Sequence, residues 1–438
     1  MFRRKIWLLL LGIVCIAVAF SAFFSANSRQ FAKNGAEETD GNSSPNAAET
    51  EGSQKTIKVA AAMPLEEFQV LEQLNAAYQT SRYGVTVKLE NIQAKDVYGT
   101  LKKAAQLGEA PDVMLLDNLW LSEFAALGYL FPLDSILTND VQAQQLEQAL
   151  AQVKWNGYIW GIPKDIDVPL MAYSKKRLSE LARTNPPETA EDLLSLHKAA
   201  HMPADKKYGI YFDWNDTGAF VTLASLLGGP KTAAERTPLR LQEPALVRSL
   251  ESYLAIPEGG KAELDKSFPA SGESWNPWAQ LENGNAAGYL TLLSAWKRNG
   301  SEALLVTALP LPEGQKLWEG SWIQGRSFSI YARSDHPKEA YDWIREMTSP
   351  QAAVRFWEAG GRLPAQPNAY TDAIKGDEAV QKSAVMIDQD RALSGRPYRM
   401  KQMSILAEKL ERLRKGELTV KEFAEQTETA WTANGQGY

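Results

Sequence analysis

Apolar and polar residues alternate along the chain with two periods, and the alternation starts at Thr56. TIKVAAA (Thr56–Ala62) has the continuous apolar character of a buried strand. Pro64 then opens a helix that carries Leu65, Phe68, Leu71, Leu74 and Tyr78 on one face. VTVKLE (Val85–Glu90) predicts a second strand, and a helix through Tyr98, Leu101 and Ala105 follows it. PDVMLLD (Pro111–Asp117) predicts a third strand, and Leu119–Ala126 a third helix, stopped by Gly128. Strands separated by helices of this length predict a mostly parallel sheet with helices on both faces. Ligands bind such sheets at the carboxyl ends of the strands. That rule places Met63, Glu66, Asp117 and Trp120 at the mouth of a site.

A second α/β block begins near Val168. Thr189 and Asp192 make a capping-box-like start for a helix through Leu193, Leu194 and Leu196. Ser349-Pro350 opens another helix and Gly360-Gly361 stops it. Thr419-x-x-Glu422 opens the last one, which runs to about Trp431. No internal repeat is present.

The front of the chain follows a different pattern. MFRRK is a basic flank, and Ile6–Phe24 carries no charge, near the ~20 residues that span a bilayer. Residues 1–26 therefore read as an export signal or an N-terminal membrane anchor. Cleavage after Ala17–Ala19, retention as an anchor, and a lipid on Cys15 are all compatible with the pattern. Val14, where a small residue normally precedes a lipidated cysteine, weighs against the lipid. In each case the basic flank stays inside and the remainder faces out. Residues 27–55 are polar and broken by Gly, Pro and Ser, which predicts a disordered tether.

Composition narrows the function. A chain of 438 residues exceeds one simple core and predicts two lobes. Its net charge of −6 excludes a nucleic-acid partner, which requires a clustered basic excess. The lone cysteine leaves neither a disulfide nor a thiolate metal site in the folded part. The 13 Trp and 15 Tyr supply flat faces of the kind on which a sugar ring stacks.

Catalytic signatures are missing. There is no G-x-S-x-G, no Walker A, and no G-x-G-x-x-G after a strand. His197 and His201 are spaced like zinc ligands, but Lys-Ala-Ala lies between them, so they read as a surface pair. Asp165 and Asp167 fall on one strand face, roughly 6–7 Å apart, and could imitate a glycosidase pair. No barrel-length βα series accompanies them. The reading is a non-enzyme with no cofactor and no metal.

Several segments, in order, resemble the extracellular solute-binding proteins of carbohydrate ABC importers, the maltodextrin-binding-protein-like family. They are AAQLGEAPDVMLLDNLWLSEFAALGYLFPLD (Ala104–Asp134), WNGYIWGIPKDIDVPLMAYSKKRL (Trp155–Leu178), NPPETAEDLL (Asn185–Leu194), ENGNAAGYLTLLSAW (Glu282–Trp296) and Gly325–Ala365. The resemblance implies an α/β, two-lobed periplasmic-binding-protein-like fold of type II, with mostly parallel sheets and a ligand cleft between the lobes. The N-lobe would combine 56–165 with 301–346, and the C-lobe 168–300 with 347–438. It further implies a monomer that closes on a carbohydrate and docks on the transmembrane subunits of an ABC permease. Contact with the membrane is through the N-terminus alone.

By the same resemblance Asp117 and Trp120 contact ligand at the third strand's end, and Asp165 and Asp167 face the cleft at the first hinge crossing. Trp214 lies in a loop region that supplies an aromatic, Trp275 and Trp278 precede ENGNAAGYL, and Trp296 follows a strand end that often bears a stacking ring. Trp155, Trp160, Trp343 and Trp357 read as core. Two positions depart from the family pattern. Ala62-Met63-Pro64 lacks the usual aromatic, and Arg326 stands where an aromatic is common. A guanidinium there suits an acidic or strongly hydrogen-bonding saccharide, or else pairs with a nearby carboxylate. Two alternatives stay open: a non-sugar solute in the same fold, and a tethered sugar sensor feeding a receptor kinase.

Overall fold

The structure, a computed structural model of the chain, describes residues 54–137, 145–228, 239–255, 259–261, 264, 275–310, 323–389 and 396–434. The signal or anchor, Cys15 and nearly all of the tether lie outside the described residues. Twelve strands are present among those described: β1 (Lys55–Ala61), β2 (Val85–Asn91), β3 (Val113–Asp117), β4 (Lys154–Trp155), β5 (Tyr158–Ile159) and β6 (Ile162–Asp167), then β7 (Pro169–Ser174), β8 (Tyr208–Tyr211), β9 (Ala286–Leu292), β10 (Leu304–Thr307), β11 (Gln324–Ile330) and β12 (Leu363–Pro364).

They build two main sheets. The first has the order β12-β6-β11-β3-β1-β2, the second β10-β7-β9-β8. The alternating front half forms as its pattern predicts. β1 pairs in parallel with β2 and β3, and the helices Leu65–Ser81, Val97–Leu107 and Asn118–Ala126 follow the three strands. Phe68, Leu71 and Tyr78 are buried, whereas Leu65 is exposed, because it occupies the first turn ahead of the buried stripe.

The sheets are mixed rather than mostly parallel. β11 runs antiparallel to both β3 and β6, and β7 antiparallel to β9 and β10. The reason is the crossing. β6 ends the first sheet's share at Asp167 and β7 begins in the second at Pro169, with only Val168 between them. A strand that passes straight from one sheet into the next has no helix to turn it round, so its neighbours meet it head to tail. β10 pairs with β7, so Leu304–Thr307 belongs to the second sheet although its number falls in the segment assigned to the first lobe. The return to the first sheet comes at β11.

Each sheet has its own core. Trp343, Phe328, Leu116 and Phe124 are buried around the first, and Tyr173, Leu223, Phe423 and Trp431 around the second. The capping signals place the long helices as the sequence implies. Ser349 accepts from the Ala352 N–H, and the Glu422 carboxylate accepts from the Thr419 N–H at 2.8 Å. His197 and His201 are not a surface pair. His197 is buried, stacked on Tyr253 and on His201, and its Nδ1 accepts from the Ile210 N–H at 3.0 Å.

Candidate functional site

Carboxyl-end chemistry gathers where β3, β6 and β11 stop. Arg326 lies opposite Asp117 on one side and Asp165 on the other. The β11–β6 register slips just after Arg326, so Lys164 is an extra residue on its strand. Bulges of this kind re-aim side chains. Here the result is a buried charge cluster. The Arg326 guanidinium donates from Nη2 to Glu67 Oε1 at 2.6 Å and to Asp165 Oδ2 at 2.5 Å. Lys164 Nζ donates to Glu67 Oε1 at 2.5 Å and to Asp165 Oδ2 at 2.8 Å, with the Phe356 ring 3.8 Å below it. Burial pushes the Asp165 carboxyl up, but Arg326, Lys164 and Arg362 overcome it and hold the group well below the usual carboxylate range. Burial opposes Arg326's charge too, and Asp165 and Glu67 more than restore it.

Arg326 is therefore spent on protein carboxylates rather than held out for a ligand. The acidic partner from the first helix is Glu67, which is 2% exposed, whereas the neighbouring Glu66 is exposed. Met63 is buried, and its N–H donates to Asn91 Oδ1 at 3.1 Å.

Asp167, at the crossing, accepts from the Ser294 N–H at 3.0 Å and from Ser294 Oγ at 2.6 Å. This ties the helix Leu293–Asn299 of the second sheet's layer to the hinge. Asp117 caps the helix Asn118–Ala126 by accepting from the Leu119 N–H at 2.9 Å, and burial pushes its carboxyl up. Arg362 follows Gly361, whose φ of 70° ends the helix Pro350–Gly360. Its Nη2 lies 3.5 Å from Asp167 Oδ2 and its Nη1 3.9 Å from Asp165 Oδ1.

Next to this floor lies a partly open recess of about 490 Å³ lined by Pro169, Asp213, Asp216, Tyr289, Ala295 and Gln324, among others. Asp216 caps the helix Thr217–Leu226, accepting from the Gly218 and Ala219 N–H groups. Burial pushes its carboxyl up, and the negative charges of Asp213 and Asp167 add to the push. Pro169 and Gln324 line the recess, and Gln324 pairs with Asp167 across β11 and β6, which puts the recess beside the hinge.

The aromatic residues divide. Trp214 is buried against Phe212, and Trp275 is buried edge-on to Tyr208, so both serve the second core. Trp120 is half-buried, edge-on to Tyr98 at 5.6 Å. Trp278 packs edge-on to Tyr289 at 5.4 Å and meets Trp296 at 6.2 Å. Trp296 sits within a helix rather than at a strand end, and lines a different, outer recess with Lys175, Lys297 and Asp377. Trp343 and Trp357 are buried, as expected of core.

Glu67, Lys164, Arg362, Asp213, Asp216, Tyr289 and Gln324 were not singled out from the sequence. Glu67 had a signal, because it continues the buried stripe Leu71–Asn75–Tyr78 one turn towards the N-terminus. Asp216 had one too, as an acidic cap before the apolar run TGAFVTLASL. Arg362 had none, since only tertiary structure brings it to β6.

A cleft between two sheet-based lobes, floored by carboxylates and guanidinium groups at the crossing strands, defines a two-lobed binding protein. The chain belongs to the family described as bacterial extracellular solute-binding protein, whose profile matches residues 73–383. A curated relative, the maltotriose-binding protein of Pyrococcus abyssi (strain GE5 / Orsay), is 29% identical over 164 residues, 37% of this chain. That match spans about a third of the relative's length, 34%. Among solved structures, the GacH receptor of Streptomyces glaucescens GLA.O, solved unliganded and with acarbose, is similar at a TM-score of 0.71 and 21% identity, over 88% of this chain and 99% of that one. The maltose/maltodextrin-binding domain MalE from Bdellovibrio bacteriovorus, bound to maltotriose, matches at 0.70 and 19%, over 86% and 99%. A solute-binding protein from Thermotoga lettingae TMO, bound to α-D-tagatose, matches at 0.73 and 18%, over 87% and 100%. These structures confirm the two-lobed fold.

Proposed function

We propose that the protein is the substrate-binding subunit of an ABC importer, capturing a carbohydrate in the interlobe cleft and delivering it to a membrane permease. The observation that carries this is the recess beside the hinge, lined by Asp213, Asp216, Tyr289 and Gln324, where Gln324 pairs with Asp167 and Asp167 in turn lies 3.5 Å from the Arg362 guanidinium. Carboxylates accept from hydroxyls and a guanidinium donates to them, which suits a polyhydroxylated solute. The curated relative binds maltotriose, and the solved relatives carry saccharides. Ligand bridging both lobes would favour the closed state through contacts it makes only there. Catalysis is not part of this reading. Asp165 is held ionised by three cations and Asp167 is engaged by Ser294, so neither is placed to deliver a proton to a leaving group. The apolar N-terminus would hold the protein at the outer face of the membrane, as an anchor or before cleavage.

The test is a melting panel on the full-length chain with neutral oligosaccharides, acidic sugars, amino acids and phosphate. A ligand at about 100 times its Kd adds ~2.7 kcal/mol of stability. A neutral oligosaccharide is expected to raise the midpoint. A shift with amino acids or phosphate alone, and none with any saccharide, overturns the carbohydrate assignment.

A further inference from the structure

Two buried histidines hold the strand that leads into the recess. β8 is the edge strand of the second sheet, where outward N–H groups have no neighbouring strand to bond. Imidazoles fill that role here. The Ile210 N–H donates to His197 Nδ1 at 3.0 Å, and the Gly209 N–H donates to His201 Nδ1 at 3.3 Å. Both side chains come from the helix Ala190–Ala200 and its C-terminal cap. Their rings stack at 4.9 Å, and His197 stacks again on Tyr253 at 4.2 Å. Glycine allows the close approach, because a Cβ added at Gly209 would come within 2.6 Å of His197 Nδ1.

To accept these bonds both rings are neutral, with their proton on Nε2. A proton on Nδ1 would aim a donor at a donor, and protonating both would stack two cations in a buried place. The surroundings favour neutral rings. Tyr253, from the helix Pro244–Tyr253, and Tyr208, from β8, face the pair with phenols. Tyr253 Oη also donates to Ile210 O at 2.6 Å, so it grips the same strand. From β9 the titratable group is Tyr289, whose ring packs against Tyr211. Lys198 lies beside the pair on their own helix, and Arg177 Nη2 donates to Ala200 O at 3.0 Å while its Nη1 is held by Glu180. Glu251 shares a helix with Tyr253 but accepts from the Gly259 N–H. Burial pushes His197 down to about 3, with the charges of His201 and Lys198 adding to the push, and pushes His201 down to about 4.

β8 runs straight into the recess wall. Phe212 follows its last residue, and Asp213, Asp216, Gly218 and Ala219, all lining the recess, come within the next seven positions. We propose that His197 and His201 form an acid-operated latch on the recess: protonation frees the edge of β8 from its helix, displaces Asp213 and Asp216, and releases the ligand. This regulation rests on the reading of the recess as the ligand site. A histidine released from β8 returns towards its ordinary pKa of ~6.5, well above its latched value, so acid favours the released form as pH falls below about 6.5. Two protons are taken up together, so affinity falls more steeply with pH than a single titrating group would make it.

The test is a titration of the full-length wild type and of His197→Gln/His201→Gln with maltotriose at pH 7.5 and pH 5, with amide hydrogen exchange on the ligand-free protein alongside. Glutamine keeps an acceptor for the β8 N–H groups and does not titrate. The wild type should lose at least about tenfold in affinity while its near-ultraviolet circular dichroism stays native, and the double variant about threefold or less. Protection of the Gly209 and Ile210 amides should fall at pH 5 ahead of the β7 and β9 amides in the same sheet. An equal loss in both proteins assigns the effect to the recess carboxylates and overturns the latch, and so does a wild-type affinity unchanged at pH 5. If the double variant does not fold, the wild-type amides decide, and protection at Gly209 and Ile210 that falls no earlier than in β9 overturns the latch. Binding of no saccharide at either pH overturns the carbohydrate reading, and the amide measurement then decides the latch by itself.

Discussion

Arg326 and Arg362 flank the same strand, β6, yet they answer to different demands. Arg326 sits inside the first lobe in a closed set with Glu67, Asp165 and Lys164, and every bond is short. Arg362 sits at the lobe junction, within reach of two carboxylates and bonded to neither. A guanidinium that is fully satisfied by the protein stabilises one conformation. One that stands 3.5 Å or more from its carboxylates attracts them without fixing their geometry. Residue type does not distinguish the two roles; the count of spent donors does.

The largest expected effect that could break this comparison is on stability. Arg326→Ala leaves Glu67 and Asp165 buried with Lys164 as the cation bonded to both and Arg362 3.9 Å from Asp165, and losing one partner of a buried charge set costs about 3–5 kcal/mol. Denaturant unfolding at neutral pH measures it, and the comparison fails if Arg326→Ala is as mild as Arg362→Ala.

Acid sharpens the contrast between the lobes. The folded His197 is pushed down to about 3 by burial, with His201 beside it adding to the push. Its folded pKa lies below its unfolded one, so its contribution is full above about pH 6.5 and is lost as pH falls towards the folded value. The lowered Asp165 carboxyl has the same sign, but its unfolded pKa is ~3.9, so its contribution is lost only below about pH 4. Between pH 7.5 and pH 5 the second lobe should therefore lose about 2 kcal/mol through His197 while the first lobe's cluster stays intact. His201, pushed down to about 4 by burial, adds a loss of the same sign, so unfolding at the two pH values should show the difference reduced, and not abolished, in His197→Gln.

The smallest expected effect contrasts neighbours. Glu66 is exposed, so Glu66→Gln should stay within ±0.5 kcal/mol of the wild type in the same unfolding assay. Glu67→Gln removes a charge that both Lys164 and Arg326 contact, and should cost several times more.

Much of the fold was legible because it rests on local pattern. The strands up to Asp117 and the helices capped by Thr189, Ser349 and Thr419 all follow from periodicity and short-range hydrogen bonds. Antiparallel crossings and the placement of β10 were not legible, since they depend on which distant strand lies alongside. The site shows the same division. Asp117 stands at a strand end, as the strand-end rule implies, and Asp165 and Asp167 stand at the crossing, where the resemblance put them. Trp214 and Trp275 went to the core, because an indole's flat face serves packing and sugar stacking equally well and only burial separates the two. Arg326 could be recognised as unusual, but its commitment to Glu67 could not, because their partnership spans the chain.

The central claim is that solute sits in the hinge-side recess rather than in the outer one by Trp296. Binding of maltotriose to Ala295→Trp, which fills the hinge-side recess, against Glu378→Trp, which crowds the outer one, tests it most directly. The account predicts that Ala295→Trp abolishes binding with its melting midpoint retained, while Glu378→Trp binds as the wild type does. Binding that survives Ala295→Trp and disappears in Glu378→Trp contradicts it.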